Sequence, residues 1–280
     1  MRKSISESGM ETDRVTRIDS RSMTAILLDI DGVFHVSGRP INGVGAAVQQ
    51  LRDEGHRLRF VTNNTTSSRA DLAEDLRALG VVLEDEELET TPRAAARTLS
   101  GKRVLALTMA AIRTELEGVD IVGEEAEAVL IGGADETAES NRVFSYMNLA
   151  RAFAELDAGA ELFCLHKNRW WQTSRGPLLD SGAFVAGLEY AAGVEATILG
   201  KPSPAFFGAA LDALDADAEY TWMVGDDLDA DIAGAKSCGL RTILVRTGKF
   251  REEALADALV KPDAVVDSLS EVPAYLEREL

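Results

Sequence analysis

The sequence predicts an α/β protein: a Rossmann-like parallel-sheet core with a second α/β unit inserted into it. Three observations carry this. Strand-like and helix-like segments alternate along most of the chain. The run Ala25, Ile26, Leu27 and Leu28 shows no polar alternation, as a strand covered on both faces requires. And the apolar strands outnumber what one sheet of this type needs.

The elements follow in order. After the first strand, Val44, Ala47, Val48 and Leu51 recur at helical spacing and Gly55 stops the helix. "RLRFVT" reads as the next strand. "SSRADLAEDLRALG" reads as a helix with a Ser cap, Leu72, Leu76 and Leu79 on one face, and Gly80 as its end. Strand, helix, strand, helix implies parallel pairing with right-handed crossovers. "TTPRAAARTLS" opens a helix with Thr91 and Pro92 in its first turn. "RVLALT", "EAVLIGG", "ELFCL" and "EATIL" read as strands. "NRVFSYMNLARAFAELDAG" reads as one long amphipathic helix and "SGAFVAGLEYAAG" as another. Three more α/β units follow on "YTWMV", "RTILV" and "DAVV". The excess of strands is explained by an insertion over residues 84–183, which leaves 22–83 and 184–280 as the core. Residues 1–21, polar and without an apolar stretch, are expected to be a disordered tail.

Composition bounds the function. The chain has 280 residues, 46% hydrophobic, enough for a real core. No run of about 18 apolar residues exists, so no membrane helix is expected. A formal charge of −18 argues against a nucleic-acid partner. Cys164 and Cys238 are far apart, without metal-ligand spacing; a reducing, cytoplasmic setting is expected.

The chemistry lies where strands end. In open parallel sheets ligands bind beyond the carboxyl ends of the strands. The first strand ends in Asp29 and Asp31, and "RLRFVT" in Thr62, Asn63 and Asn64. "EATIL" leads to Lys201, and "YTWMV" to Asp226, Asp227 and Asp231. Two carboxylates about 4 Å apart repel by about 4 kcal/mol at an effective dielectric of about 20, so a cation or a reaction is needed to justify them. Neither "DIDG" nor "DDLDAD" fits a calcium loop. Counted from Asp29, the sixth and twelfth positions lack the required glycine and acid, and the same holds from Asp227. Hard oxygen ligands with one lysine suit Mg2+ and a phosphoryl group. Asp29, the carbonyl of Asp31 and Asp226 are the expected metal ligands. Asp29 is the expected nucleophile and Asp31 the acid/base. Thr62, Asn63, Asn64 and Lys201 are expected at the phosphate, with Asp227 and Asp231 behind them.

These four segments, "DIDG", "VTNN", "GKPSP" and "GDDLDAD", resemble in order and spacing the motifs of haloacid dehalogenase superfamily phosphatases. The branch resembled is the NagD-like one, with a large α/β cap between the second and third motifs. The resemblance covers roughly residues 22–280. It implies a Mg2+-dependent phosphohydrolase acting on small phosphate monoesters, pyrophosphate or phospho-amino acids through an aspartyl-phosphate. It also implies a homodimer formed through the cap. Where NagD has an Asn-Pro-Asp segment this chain reads "HKNRWW", which argues against NagD's own preference. The competing readings are a catalytically idle phosphate- or protein-binding homologue, a dehalogenase and a phosphomutase.

Substrate choice is expected from the insertion. Residues 162–179 contain no acid in a strongly acidic chain, and Lys167, Arg169 and Trp171 are the expected substrate-facing residues. His166 is expected to be structural, since no second His or Cys accompanies it. His35 and His56 have equally weak claims.

Overall fold

The computed structural model describes residues 24–173 and 176–279. The expected disordered tail lies outside the described residues. Two parallel sheets organise the chain. The first takes β1 (Ala25–Asp29), β2 (Arg57–Thr62), β3 (Leu88–Thr90) and three later strands. The second takes β4 (Arg103–Leu107), β5 (Asp120–Ile121), β6 (Ala128–Ile131), β7 (Glu161–Cys164) and, past the hairpin β8 (Trp170–Thr173) and β9 (Gly176–Leu179), β10 (Thr197–Ile198). The chain then returns to the first sheet with β11 (Thr221–Gly225), β12 (Arg241–Val245) and β13 (Ala264–Val266). The first sheet runs β13-β12-β11-β1-β2-β3 and the second β10-β7-β6-β4-β5.

Alternation on β1 explains its apolar run. Ile26 and Leu28 face a cluster with Val48, Leu51 and Leu276, while Leu27 faces Phe206, Phe207 and Met223 on the other side. Asp29 shares the parity of Leu27. It therefore points to the face covered by the helix Pro204–Leu214, at whose entrance Lys201 lies.

Sheet membership corrects the expected boundaries at both ends. Leu88–Thr90 extends the first sheet, pairing Phe60 with Leu88, so 84–90 does not belong with the insertion. Thr197–Ile198 pairs with Phe163–Cys164 in the second sheet. The helix Gly182–Ala192 also packs into that sheet's core through Val185 and Leu188. The second sheet's unit thus reaches to about residue 199, and "EATIL" is its last strand rather than a core strand. The expected long helix is two helices, Ala138–Val143 and Tyr146–Asp157. Ser145 caps the second by accepting the Asn148 amide, and Asn148 Nδ2 donates to the carbonyls of Arg142 and Val143 that the first leaves free. Among the described residues no helix is long and apolar enough to cross a membrane.

Candidate active site

β1 and β11 are neighbours, with Leu28 opposite Val224. Asp29 ends β1 and Asp226 follows the last residue of β11, which brings both to one rim, buried. Lys201 is buried between acids: its Nζ donates to Asp29 Oδ1 at 2.6 Å and to Asp231 Oδ1 at 2.7 Å. Asp231 lies in a π-helical turn, Leu228–Ala233, a local widening common at functional sites. Its Oδ2 accepts the amides of Asp226 at 3.2 Å and Asp227 at 3.1 Å. The turn depends on Gly225, because a Cβ there would stand 2.2 Å from Asp231 Oδ2. Gly32 is equally required. Its φ is +85°, and a Cβ would stand 1.9 Å from Asp226 Oδ2.

The electrostatics follow from burial. Desolvation, reinforced by Asp231, pushes the Asp29 carboxyl well above the usual range despite Lys201 beside it. Burial, again with Asp231, lifts Asp226 to about 7. Burial opposes the charge on Lys201, but Asp231 and Asp29 outweigh it and hold the amine above its ordinary value. One lysine does not balance three buried carboxylates. One oxygen from each of Asp29, Asp226 and Asp231 falls within a 4.8 Å group, and hard oxygen donors in that number fit a divalent cation. Asp231 already accepts hydrogen bonds on both oxygens, so Asp29 and Asp226 are the side chains best placed to take an ion.

The remaining expected residues divide. Thr62 is buried and its Oγ1 lies 3.5 Å from Asp31 Oδ2, while the Asp31 side chain is half exposed to the cavity. Asn63 differs from expectation. Its Oδ1 accepts the Lys201 amide at 2.9 Å and its Nδ2 donates to the Lys201 carbonyl at 2.8 Å, so it clamps the lysine's backbone. Asn64 also serves the backbone, its Oδ1 accepting the amides of Thr66 and Ser67. Asp227 accepts the amides of Asp229 and Ala230 and, at 2.7 Å, the Nζ of Lys249. Burial opposes the Asp227 charge, yet Lys249 carries its carboxyl below the usual range.

A cavity of about 370 Å³ lies over this rim, with Asp29, Asp31 and Lys201 on one side and His166, Trp171 and Asp180 on the insertion side. Of the expected insertion residues only Trp171 lines it. Lys167 is drawn away by Glu189, 2.7 Å from its Nζ, and Arg169 is exposed outside the cavity. Both charges are therefore corrected out of the site, while Trp170 joins Trp171 at its wall. Sequence reasoning missed Lys249, whose amide donates to Asp226 Oδ2 at 2.7 Å. It also missed Thr65, bonded to His166 at 2.9 Å. Lys249 was detectable: it follows the apolar strand "RTILV" at the same rim.

The chain resembles known proteins in sequence and in fold. A haloacid dehalogenase-like hydrolase profile matches residues 26–122, and a HAD-hydrolase-like profile matches 198–272. The chain is 38% identical over 260 residues to the phospholysine phosphohistidine inorganic pyrophosphate phosphatase of Xenopus laevis, covering 90% of this chain and 93% of that one. The p-nitrophenyl phosphatase from Archaeoglobus fulgidus superposes with a TM-score of 0.83 at 29% identity, over 91% of this chain and 99% of that chain. NagD from E. coli K-12 gives 0.79 at 27% identity, over 89% and 98%. The glycerol phosphate phosphatase from Mycobacterium tuberculosis, solved in complex with magnesium, gives 0.77 at 30% identity, over 89% and 75%. The acids and lysine gathered at the rim, and these likenesses across nearly the whole chain, lead to one conclusion: the chain belongs to the haloacid dehalogenase-like hydrolase family, among its NagD-like phosphatases.

Proposed function

We propose that this phosphatase is Mg2+-dependent and works through an aspartyl-phosphate on Asp29. The observation that carries the reading is Lys201 buried between Asp29 and Asp231, with Asp226 in the same group of oxygens. Asp29, Asp226 and the carbonyl of Asp31 would hold the ion. Bound there, it supplies positive charge against the facing carboxylates and phosphoryl oxygens. An Asp29 oxygen attacks phosphorus while the bond to the leaving group breaks. Asp31, half exposed to the cavity, gives the leaving atom its proton. It then takes a proton from the water that attacks the phosphorylated Asp29, releasing phosphate and restoring the carboxylate. Lys201 neutralises charge on Asp29 and the phosphoryl group, and Asp231 and Asn63 keep it in place.

The substrate is a small phosphate compound; the relatives' names include phosphorylated amino acids and pyrophosphate alongside esters. The free thiols Cys164 and Cys238 are in keeping with a cytoplasmic setting. Tyr146, Met147 and Tyr190, exposed on helices of the insertion, are the surface through which a homodimer is proposed.

The test uses p-nitrophenyl phosphate and 32P-labelled pyrophosphate. Hydrolysis should require Mg2+, stop with a chelator and fall at least about a thousandfold in Asp29→Asn. Acid quenching should trap a hydroxylamine-labile label on the wild-type chain. A chelated enzyme at full rate, or an active Asp29→Asn, sinks the reading.

A further inference from the structure

The cavity wall contributed by the insertion holds a carboxylate that the phosphoryl chemistry does not use. Asp180 is 5% exposed and lines the cavity. It ends the β8–β9 hairpin, where its amide donates to the Arg169 carbonyl at 3.2 Å. Its Oδ1 accepts the Ser181 amide at 2.7 Å. Among the described residues no lysine or arginine pairs with it. Among the described residues the one cation-capable side chain within ion-pair distance is His166, with Nε2 3.9 Å from Asp180 Oδ1; Lys249 and Arg251, which also line the cavity, make no ion pair with it.

His166 does not supply the missing charge. Its Nδ1 accepts the Asn168 amide at 3.4 Å, which assigns the neutral ring's hydrogen to Nε2, bonded to Thr65 Oγ1 at 2.9 Å. Burial lowers its pKa further, though Asp180 pulls the other way. Asp180 is thus a buried carboxylate that faces a ligand cavity and, among the described residues, has no fully charged partner within ion-pair distance, an arrangement costly in the empty site. Trp170 and Trp171 line the same wall, and aromatic faces favour a cation over an anion. Among the described residues the buried Trp171 Nε1 has no hydrogen-bond partner. The opposite side, with Lys201, is where the phosphoryl group is proposed to sit.

We propose that Asp180 is a specificity-determining residue that receives the ammonium group of an amine-bearing leaving group, so that the preferred substrates are phosphate esters of amino alcohols. The inference rests on the phosphohydrolase reading above. An ammonium entering between Asp180 and the tryptophan wall replaces the absent charge, whereas a methyl group in its place leaves the carboxylate uncompensated.

Phosphoethanolamine and n-propyl phosphate differ in that one group. Wild-type enzyme with Mg2+ should prefer phosphoethanolamine by about tenfold or more in kcat/KM, chiefly through KM. Asp180→Asn should bring the ratio close to one, and Asp180→Glu should restore part of it. A merely structural Asp180 would depress both substrates together and leave the ratio unmoved, which overturns the proposal. So does a wild-type ratio near one, a measurement that needs no variant to fold. If wild-type enzyme releases phosphate from neither compound nor from p-nitrophenyl phosphate, the phosphohydrolase reading has failed, and this inference falls with it.

Discussion

Asn63 shows how one side chain takes a role its type does not announce. An amide at a strand end is equally suited to hold phosphate oxygens or a backbone, and only the distant Lys201 decides between them. Here both amide atoms meet the lysine's main chain. Asn63→Ala should therefore act on kcat more than on KM, lowering it about ten- to a hundredfold as Lys201 loses its seat, and should cost about 1–3 kcal/mol of stability. Steady-state kinetics with urea unfolding checks this; a rise in KM alone would return Asn63 to direct phosphate contact. The acids were legible from sequence for a stronger reason: Asp29, Asp31, Asp226 and Asp231 stand next to long apolar strands, where a carboxylate has no bland explanation. Lys167 and Arg169 misled because local charge says nothing about a partner such as Glu189, 22 residues away from Lys167.

At the scale of elements, most strands were legible, but the sheet that a short strand joins was not. β1 is an apolar run up to Asp29, buried on both faces, and β2 buries every residue after Arg57, Arg59 included. β3 and β10 have three and two residues, too few for a period, and their sheet is chosen by partners far along the chain. That is why the edges of the insertion were misplaced while its existence was not. The split of the expected long helix turns on a single cap. Ser145→Ala should cost about 0.5–2 kcal/mol with catalysis preserved, read by urea denaturation beside a phosphatase assay. An unchanged midpoint would show that the break is set by packing of Phe144 on Phe184 instead, whose rings stack 4.5 Å apart.

For the whole molecule, each sheet carries a buried histidine whose neutral form the fold favours. His56, at the entrance to β2, is pushed below its ordinary pKa mainly by burial, with Glu54 opposing. His166, beyond β7, is pushed the same way by burial, with Asp180 opposing. A lowered folded-state pKa means that the unfolded chain binds the proton more readily. Stability contributed by the neutral rings is present above about pH 6.5 and is lost as pH falls below it. Urea midpoints should drop between pH 7.5 and 5.5, and His56→Gln should flatten that drop. A variant with the wild-type slope would assign the pH dependence to other groups.

The exit of the insertion has a consequence for recombining these proteins. β10 ends at Ile198, the Leu199 and Gly200 amides donate to the carbonyls of Cys164 and Leu165, and Lys201 follows at once. The buried Lys201 amine is thereby delivered by the last stitch of the second sheet, with no slack between them. A chimera joined downstream of Thr197 would import a foreign register straight into the contacts of Lys201 with Asp29 and Asp231. One joined on the far side of residues 161–165, keeping β7 and β10 from the same parent, would leave that lysine where it is needed.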